Sequence, residues 1–334
     1  MARIMGIEIG NTSIKMIETI KKGKAQTIQK ASLIPVPKAC IQNGVICQIE
    51  PIQEAIKEEL KRKKYKAKKV VCVIQSSQIM IRSVEVEKYP KKAIRQLLEI
   101  KVEDFLPIEQ GTYQIDFKIL EEREEEGVLK NKLLLVAVPN TIVFPILDLI
   151  KNLKLIPVLI SIPSEGLENI FNAEPLRLDG QLGSIMVLDI GGSSTAVTII
   201  TCGKVYLTRL IEYGVEDLKG FIKEAQELLG KGGEKVYRDN INNIISAQIE
   251  YHLISELERI FQFYYSKDRE HVIDKIYTIG GGANIKEIEE HIKNALNIPI
   301  EKLSHLEFVS EAKGADLEGQ MNCFVNLLGV INGM

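Results

Sequence analysis

No sign of charge dominates this chain: Lys and Arg number 43 against 45 Asp and Glu, a net of −2 over 334 residues. That balance removes the global electrostatic reason to expect a nucleic-acid partner, which needs a clustered excess of cations. Tryptophan is absent, and the nine Phe and ten Tyr read as core or surface residues. Where four aromatics gather, at Phe261, Phe263, Tyr264 and Tyr265, no basic residue interleaves with them, so packing is expected and base stacking is not. Cysteine is sparse. Cys40, Cys47, Cys72, Cys202 and Cys323 are odd in number and form no CxxC pair, which argues against a disulfide framework or thiolate metal site and leaves free buried thiols. His252, His271, His291 and His305 show no ligand spacing. Long apolar runs are also missing. The opening MARIMGIEIG is broken by Glu8 and by glycines, so it reads neither as a signal peptide nor as a membrane span, and a cytoplasmic protein is expected.

What is present is enough chain for two cores, so two lobes are expected. Apolar stretches at 3–9 and 13–20 flank Gly10-Asn11-Thr12 and predict an opening β-hairpin. A strand over 26–34, a helix over 49–65 and a strand over 70–74 follow, and the basic run 61–69 reads as a solvated helix end. From about 84 to 156 the pattern describes a compact α/β insertion. It opens with an amphipathic helix between Pro90 and Pro107, then a hairpin of 112–120 and 132–138 around the charged loop 121–126. A helix over 140–153 and an apolar run over 155–162 complete it. A helix over 164–171 and a polar crossing with Pro175, Asp179 and Gly180 end a first lobe of residues 1–180. The second lobe, residues 181–334, is expected to carry strands over 183–188, 195–201, 204–211 and 275–279. Its helices are expected over 244–265, 285–296 and 322–331, the last short and apolar.

The sequence 6–19, GIEIGNTSIKMIET, is echoed at 187–200 by VLDIGGSSTAVTII: strand, acid, glycine, small polar residues and strand recur in order. A glycine turn lets main-chain N–H groups approach phosphate oxygens, and side-chain hydroxyls add donors. One such turn is merely a hairpin turn. Two of them, at Gly10, Asn11, Thr12 and Ser13 and at Gly191, Gly192, Ser193 and Ser194, can clamp one polyphosphate. The acids ahead of the turns, Glu8 and Asp189, suit a magnesium ion that keeps several waters, and Lys15 offers charge to a polyphosphate. Gly280, Gly281, Gly282 and Ala283, between a strand and a helix, allow backbone to press on a flat base or an anion.

These residues resemble the actin, Hsp70 and sugar kinase superfamily, with its first phosphate motif at GIEIGNTSIK, its second at VLDIGGSST and its adenosine motif at YTIGGGANI. More narrowly, the chain resembles the PilM branch of the FtsA-like proteins, the cytoplasmic actin-like components of type IV pilus machines. VVCVIQSSQIMIRSVEVEKYP is similar to the strands leading to that family's inserted subdomain. AIRQLLEIKVEDFLPIEQGTYQIDFKIL with LLLVAVPNTIVFPILDLIKNLKLIPVLI is similar to the subdomain itself. The resemblance covers nearly the whole chain. It implies an α/β fold of duplicated ribonuclease-H-like, actin-like ATPase domains: subdomain 1A with an FtsA-type 1C insertion, then 2A and 2B, with the C-terminal helix returning to the first lobe. It also implies ATP or ADP with Mg2+. Glu8 and Asp189 would lie at the metal through water, while Gly10, Asn11, Thr12, Ser13 and Lys15 face the phosphates from one side and Gly191, Gly192, Ser193 and Ser194 from the other. Gly280 to Ala283 would border the adenosine, and Glu234 in GGEKVYR is similar to the family's ribose-contacting acid.

As partner the resemblance implies the N-terminal cytoplasmic tail of a PilN-like inner-membrane protein. Membrane association at the inner face would then be indirect, without insertion. Contacts with a pilus motor ATPase, self-association, and pilus assembly versus a related secretion machine stay open. Two departures matter. Glu8 stands where the superfamily usually has aspartate, and Pro163 occupies the position of a water-orienting acid or amide, with Glu165 nearby but shifted. A proline there argues for slow hydrolysis or none. Two competing readings are weaker. An FtsA-like filament-forming division protein that touches lipid would want Lys or Arg in MNCFVNLLGVINGM, and a small-molecule kinase would want a carboxylate base facing a substrate hydroxyl.

Overall fold

Strand β1 (Ala2–Ile9) is buried from Ile4 to Glu8, the mark of a central strand covered on both faces. The computed structural model describes residues 1–125, 127–173, 177–178, 181–229, 243, 245–267, 272–317 and 319–334. After β1 come β2 (Ser13–Lys22), β3 (Ala25–Pro35), the short pair β4 (Ile41–Gln42) and β5 (Val45–Ile46), helix α1 (Ile49–Arg62) and β6 (Lys69–Val73). Next are β7 (Met80–Glu87), α2 (Lys91–Lys101), β8 (Tyr113–Glu125), β9 (Val128–Pro139), α3 (Asn140–Asn152), β10 (Ile156–Ser161) and α4 (Pro163–Ala173). A second short pair, β11 (Arg177–Leu178) and β12 (Gln181–Leu182), leads to β13 (Ser184–Ile190), β14 (Thr195–Thr201), β15 (Lys204–Ile211) and α5 (Val215–Leu229). A π-helical turn at Glu250–Ile254 runs into α6 (Ser255–Lys267). The chain then forms β16 (Ile273–Ile279), α7 (Lys286–Leu296), β17 (Ile300–Lys302), β18 (Val309–Glu311) and α8 (Val325–Asn332).

The two large sheets share one topology. The first runs β10-β6-β1-β2-β3-β18 and the second β15-β14-β13-β16-β17. In each, the first three strands form an antiparallel meander, and two later strands join the other side of the opening strand in parallel. The echo at 6–19 and 187–200 is therefore a duplicated fold, not a repeated turn alone. α1 and α3 cover one face of the first sheet through Ile52, Ile56, Ile142, Ile146, Leu149 and Ile150.

The insertion is a three-stranded antiparallel sheet in the order β7-β9-β8, backed by α2 through Ile94 and Leu98. It spans Met80 to Pro139, while α3 lends its buried side to the first lobe. Of the charged loop expected over 121–126, residues 121–125 are instead strand, the end of β8, and β9 starts just past the turn at Gly127, with Arg123 and Lys130 paired to Glu85 and Glu125. Opposite charges across an exposed sheet stabilise strands that apolar alternation alone would end earlier. The thiols also differ from expectation: Cys40, Cys72 and Cys323 are buried, but Cys47 and Cys202 are at the surface.

The C-terminal segment returns to the first lobe. β18 adds in parallel to β3, and α8 lies between the lobes with Val325 through Ile331 buried, as its apolar sequence requires. Lys21 Nζ donates to the carbonyl oxygens of Ile331 at 2.9 Å and Asn332 at 2.7 Å, satisfying the open end of the helix. A helix so buried is not free to lie on lipid, which removes the support for direct membrane contact through this segment. α8 crosses α4 where Gly166 and Gly329 meet backbone to backbone; a Cβ on Gly329 would collide with the Gly166 carbonyl. Gly329→Val is expected to destabilise the protein by about 1–3 kcal/mol or more through overpacking. Gly220→Ala, on the open face of α5 with nothing within 4 Å of the added carbon, should stabilise it by about 0.5–1 kcal/mol. Urea unfolding of both variants checks the pair.

Candidate functional site

The two glycine turns have the same internal closure. Gly10 N donates to Ser13 O at 3.0 Å, and Gly191 N donates to Ser194 O at 2.9 Å. The duplicated topology brings them tip to tip. Asn11 Nδ2 donates to Ser193 Oγ at 2.6 Å across the lobes, and a Cβ on Gly192 would run into the Thr12 side chain. The second turn is braced from behind by α5, whose first N–H groups, Val215 N and Glu216 N, donate to the Gly191 and Gly192 carbonyls at 3.1 and 2.7 Å. Asp217 Oδ2 accepts from Gly214 N at 2.8 Å and closes that corner.

Below the turns lies a buried polar floor. Glu8 and Lys15 are direct cross-strand partners in the β1–β2 register and form an ion pair between side chains only 7% and 11% exposed. Lys15 is thus committed to Glu8 as well as placed near the cleft. Asp189 occupies the matching place on β13 and accepts from Asn326 Nδ2 at 2.7 Å. Burial pushes the Glu8 carboxyl up from 4.5, opposed by the Lys15 ammonium and reinforced by the Asp189 carboxylate. Burial disfavours the Lys15 ammonium, yet Glu8 and Asp189 outweigh it and hold Lys15 above its ordinary 10.5.

Glu8 Oε2 and Asn326 Oδ1 are buried and have no hydrogen-bond partner. Buried acceptors without donors are costly, so this floor fits a ligand that brings donors. Among the described residues no group of three or more His, Cys, Asp or Glu is placed to hold a metal directly. A hydrated divalent cation fits this hard oxygen set better than a dehydrated one.

The third glycine segment follows β16. Gly280 sits at φ +81°, where a side chain would be strained, and a Cβ there would strike the Asp189 carboxylate. Gly282 packs against Ile190 and Ala283 is buried, which leaves Gly281 as the member facing open space. Asn322 holds this turn twice: its Nδ2 donates to Gly280 O at 2.7 Å, and its carbonyl accepts from Gly280 N at 3.1 Å. Glu234 lies outside the described residues. Glu165 is exposed, accepts from Ser161 Oγ at 2.5 Å and lines a different cavity, beside the inserted sheet. Sequence reading missed Asn322 and Asn326. Two amides one helical turn apart in the otherwise apolar NCFVNLLGVIN were the available signal, since a buried amide needs partners.

Two copies of a five-stranded unit with matching turns meeting over buried acids define the actin-like ATPase class of fold. The profile of the type IV pilus assembly protein PilM family matches residues 6–329, so the chain belongs to that family of pilus assembly proteins. A solved structure described as a PilM-PilN type IV pilus biogenesis complex is similar over 99% of this chain and 98% of that one, with 20% identity and a TM-score of 0.81. The ethanolamine utilization protein EutJ from Carboxydothermus hydrogenoformans is similar over 98% and 88% of the two chains, with 12% identity and a TM-score of 0.56. At these identities the likeness is one of fold.

Lys15→Met leaves Glu8 buried beside Asp189 and is expected to cost about 3–5 kcal/mol. The folded lysine value lies above 10.5, so the ammonium's contribution is fully present below pH 10.5 and falls as pH rises through the folded value. Urea midpoints of wild type and variant should therefore converge at alkaline pH.

Proposed function

We propose that this chain is a nucleotide-bound scaffold of a type IV pilus, or related secretion, assembly at the inner membrane. Lobes of residues 1–180 and 181–334 close on ATP or ADP with Mg2+. The observation that carries this reading is the meeting of the two glycine turns, Asn11 against Ser193 and Gly192 against Thr12. Gly10, Asn11, Thr12, Ser13 and Lys15 would hold the phosphates from the first lobe; Gly191, Gly192, Ser193 and Ser194 would hold them from the second. Glu8 and Asp189 would receive the cation through its waters, and Gly280 to Ala283 would carry the adenosine. The cation would neutralise phosphate charge and draw both lobes onto one ligand. Pro163 lines a cavity of about 290 Å³ between the lobes whose lining holds no carboxylate, which supports slow hydrolysis at most and a structural role for the nucleotide.

The docking place for a PilN-like tail is the cavity of about 270 Å³ between β8 and β9 of the insertion and β10 and α4 of the first lobe. Ile115, Phe117, Val136, Leu159 and Ile160 make it apolar, while Glu165 and Glu168 add acids. β8 and β10 are both outer strands of their sheets, so an extended peptide can add main-chain hydrogen bonds there. Glu168 ties this groove to both lobes: it pairs with Lys118 of β8, and its Oε2 accepts from Val205 N of β15 at 3.1 Å. Among the described residues no helix is long and apolar enough to cross a membrane, and membrane association through such a partner is part of the proposal.

Two measurements test this. Mass spectrometry of the purified protein should find ADP or ATP, lost in Glu8→Ala and Asp189→Ala. A PilN-type tail peptide should bind the wild type and fail to bind Ile115→Glu at unchanged Tm. Purification without nucleotide, together with no binding of added ATP, would sink the first half; peptide binding unaffected by Ile115→Glu would sink the second.

A further inference from the structure

We infer that Asn326 is a third acceptor for the hydration shell of the cation in this cleft, supplied by the C-terminal helix. The inference rests on the nucleotide reading above and deepens it. Asparagine is a poor choice inside a buried apolar helix, because its amide must be satisfied and its side chain favours non-helical bonding. Asn326 is 2% exposed and stands between the lobes. Its Nδ2 donates to Asp189 Oδ2 at 2.7 Å. A purely structural brace on Asp189 needs only that N–H group. It leaves unexplained why Asn326 Oδ1 and Glu8 Oε2 are both buried and both without a donor.

The chemistry of the missing donor is constrained. Phosphate oxygens are acceptors and cannot fill the role. The Lys15 ammonium already engages Glu8 Oε1. Water can donate, and water bound to a divalent cation is a polarised donor that magnesium gives up reluctantly. Asn326 Oδ1, Glu8 Oε2 and the Asp189 carboxylate then form three acceptors from α8, β1 and β13 around one hydrated ion. Such outer acceptors orient and tune a metal much as direct ligands do. Four residues earlier, in the 3₁₀ turn Met321–Cys323 that leads into α8, Asn322 grips Gly280. The same C-terminal segment therefore reaches the cation end and the adenosine end of the ligand.

The test is titration calorimetry of ADP and ATP against the full chain, with Mg2+ and with EDTA, for wild type, Asn326→Leu and Asn326→Asp. In wild type, Mg2+ should strengthen binding. Asn326→Leu should lose about tenfold or more of that increment while affinity in EDTA stays unchanged. Asn326→Asp keeps an acceptor and adds charge, so binding in EDTA should weaken and the Mg2+ increment should grow. Equal losses with and without Mg2+ would show a brace and overturn the inference. If the leucine variant does not fold, the aspartate variant decides alone: an increment that stays constant or shrinks overturns it. A wild type that binds neither nucleotide under either condition refutes the nucleotide reading, and this inference with it.

Discussion

Two carboxylates from opposite lobes share one buried floor, and like charges cannot sit dry together without compensation. Lys15 compensates Glu8, and Asn326 engages Asp189. Much of the architecture is bound to that solution. Glu8 faces Lys15 only in the observed β1–β2 register, and a slip of one residue would turn the lysine onto the other face of a sheet covered on both sides. Asn326 reaches Asp189 only if α8 lies between the lobes, which in turn needs Gly166 and Gly329 to let two backbones touch. The close backbone crossing of α4 and α8 thus serves to hold charge in place.

The duplicated fold was legible from residues because a strand-acid-glycine-strand motif constrains backbone and chemistry together, and two copies are hard to reach by chance. The eight residues of the two turns, Gly10 to Ser13 and Gly191 to Ser194, are brought together above Glu8 and Asp189. Other features were hidden for physical reasons. The pairing of Lys15 with Glu8 depends on strand register, which no linear pattern displays. Asn322 and Asn326 are distant in sequence from every motif, and only the return of the C-terminal segment makes them neighbours of the cleft. Glu165 was placed by its nearness in sequence to Pro163, yet the direction of a side chain on the first turn of α4 sends it to the groove beside the insertion. The extension of β8 through the five charged residues 121–125 defeats an apolar alternation test because cross-strand ion pairs support those positions.

The inserted sheet is joined to the first lobe through Ile81, Val136 and Val138, which pack into that lobe's core. Its α2 side has a cluster of its own, with Val86, Ile94, Leu98, Leu133 and Leu135. Glu168 adds a polar tie, joining Lys118 of the insertion to Val205 of the second lobe from a helix of the first. A rearrangement between the lobes is felt at that carboxylate, and through it at the groove wall. Ligands that favour one lobe arrangement would therefore bias the groove by their differential affinity, with no further device required.

The placement of β18 beside β3 has a consequence for how the molecule is made. The first sheet acquires its sixth strand, and its inner face acquires α8, only after more than 300 residues have been synthesised. A nascent chain leaving the ribosome therefore carries an unfinished sheet edge and an uncovered apolar face until residues 309–332 have emerged. Contacts closed over such long loops form slowly. The amino-terminal half is the part that would need a chaperone while it waits for the other end of its own chain.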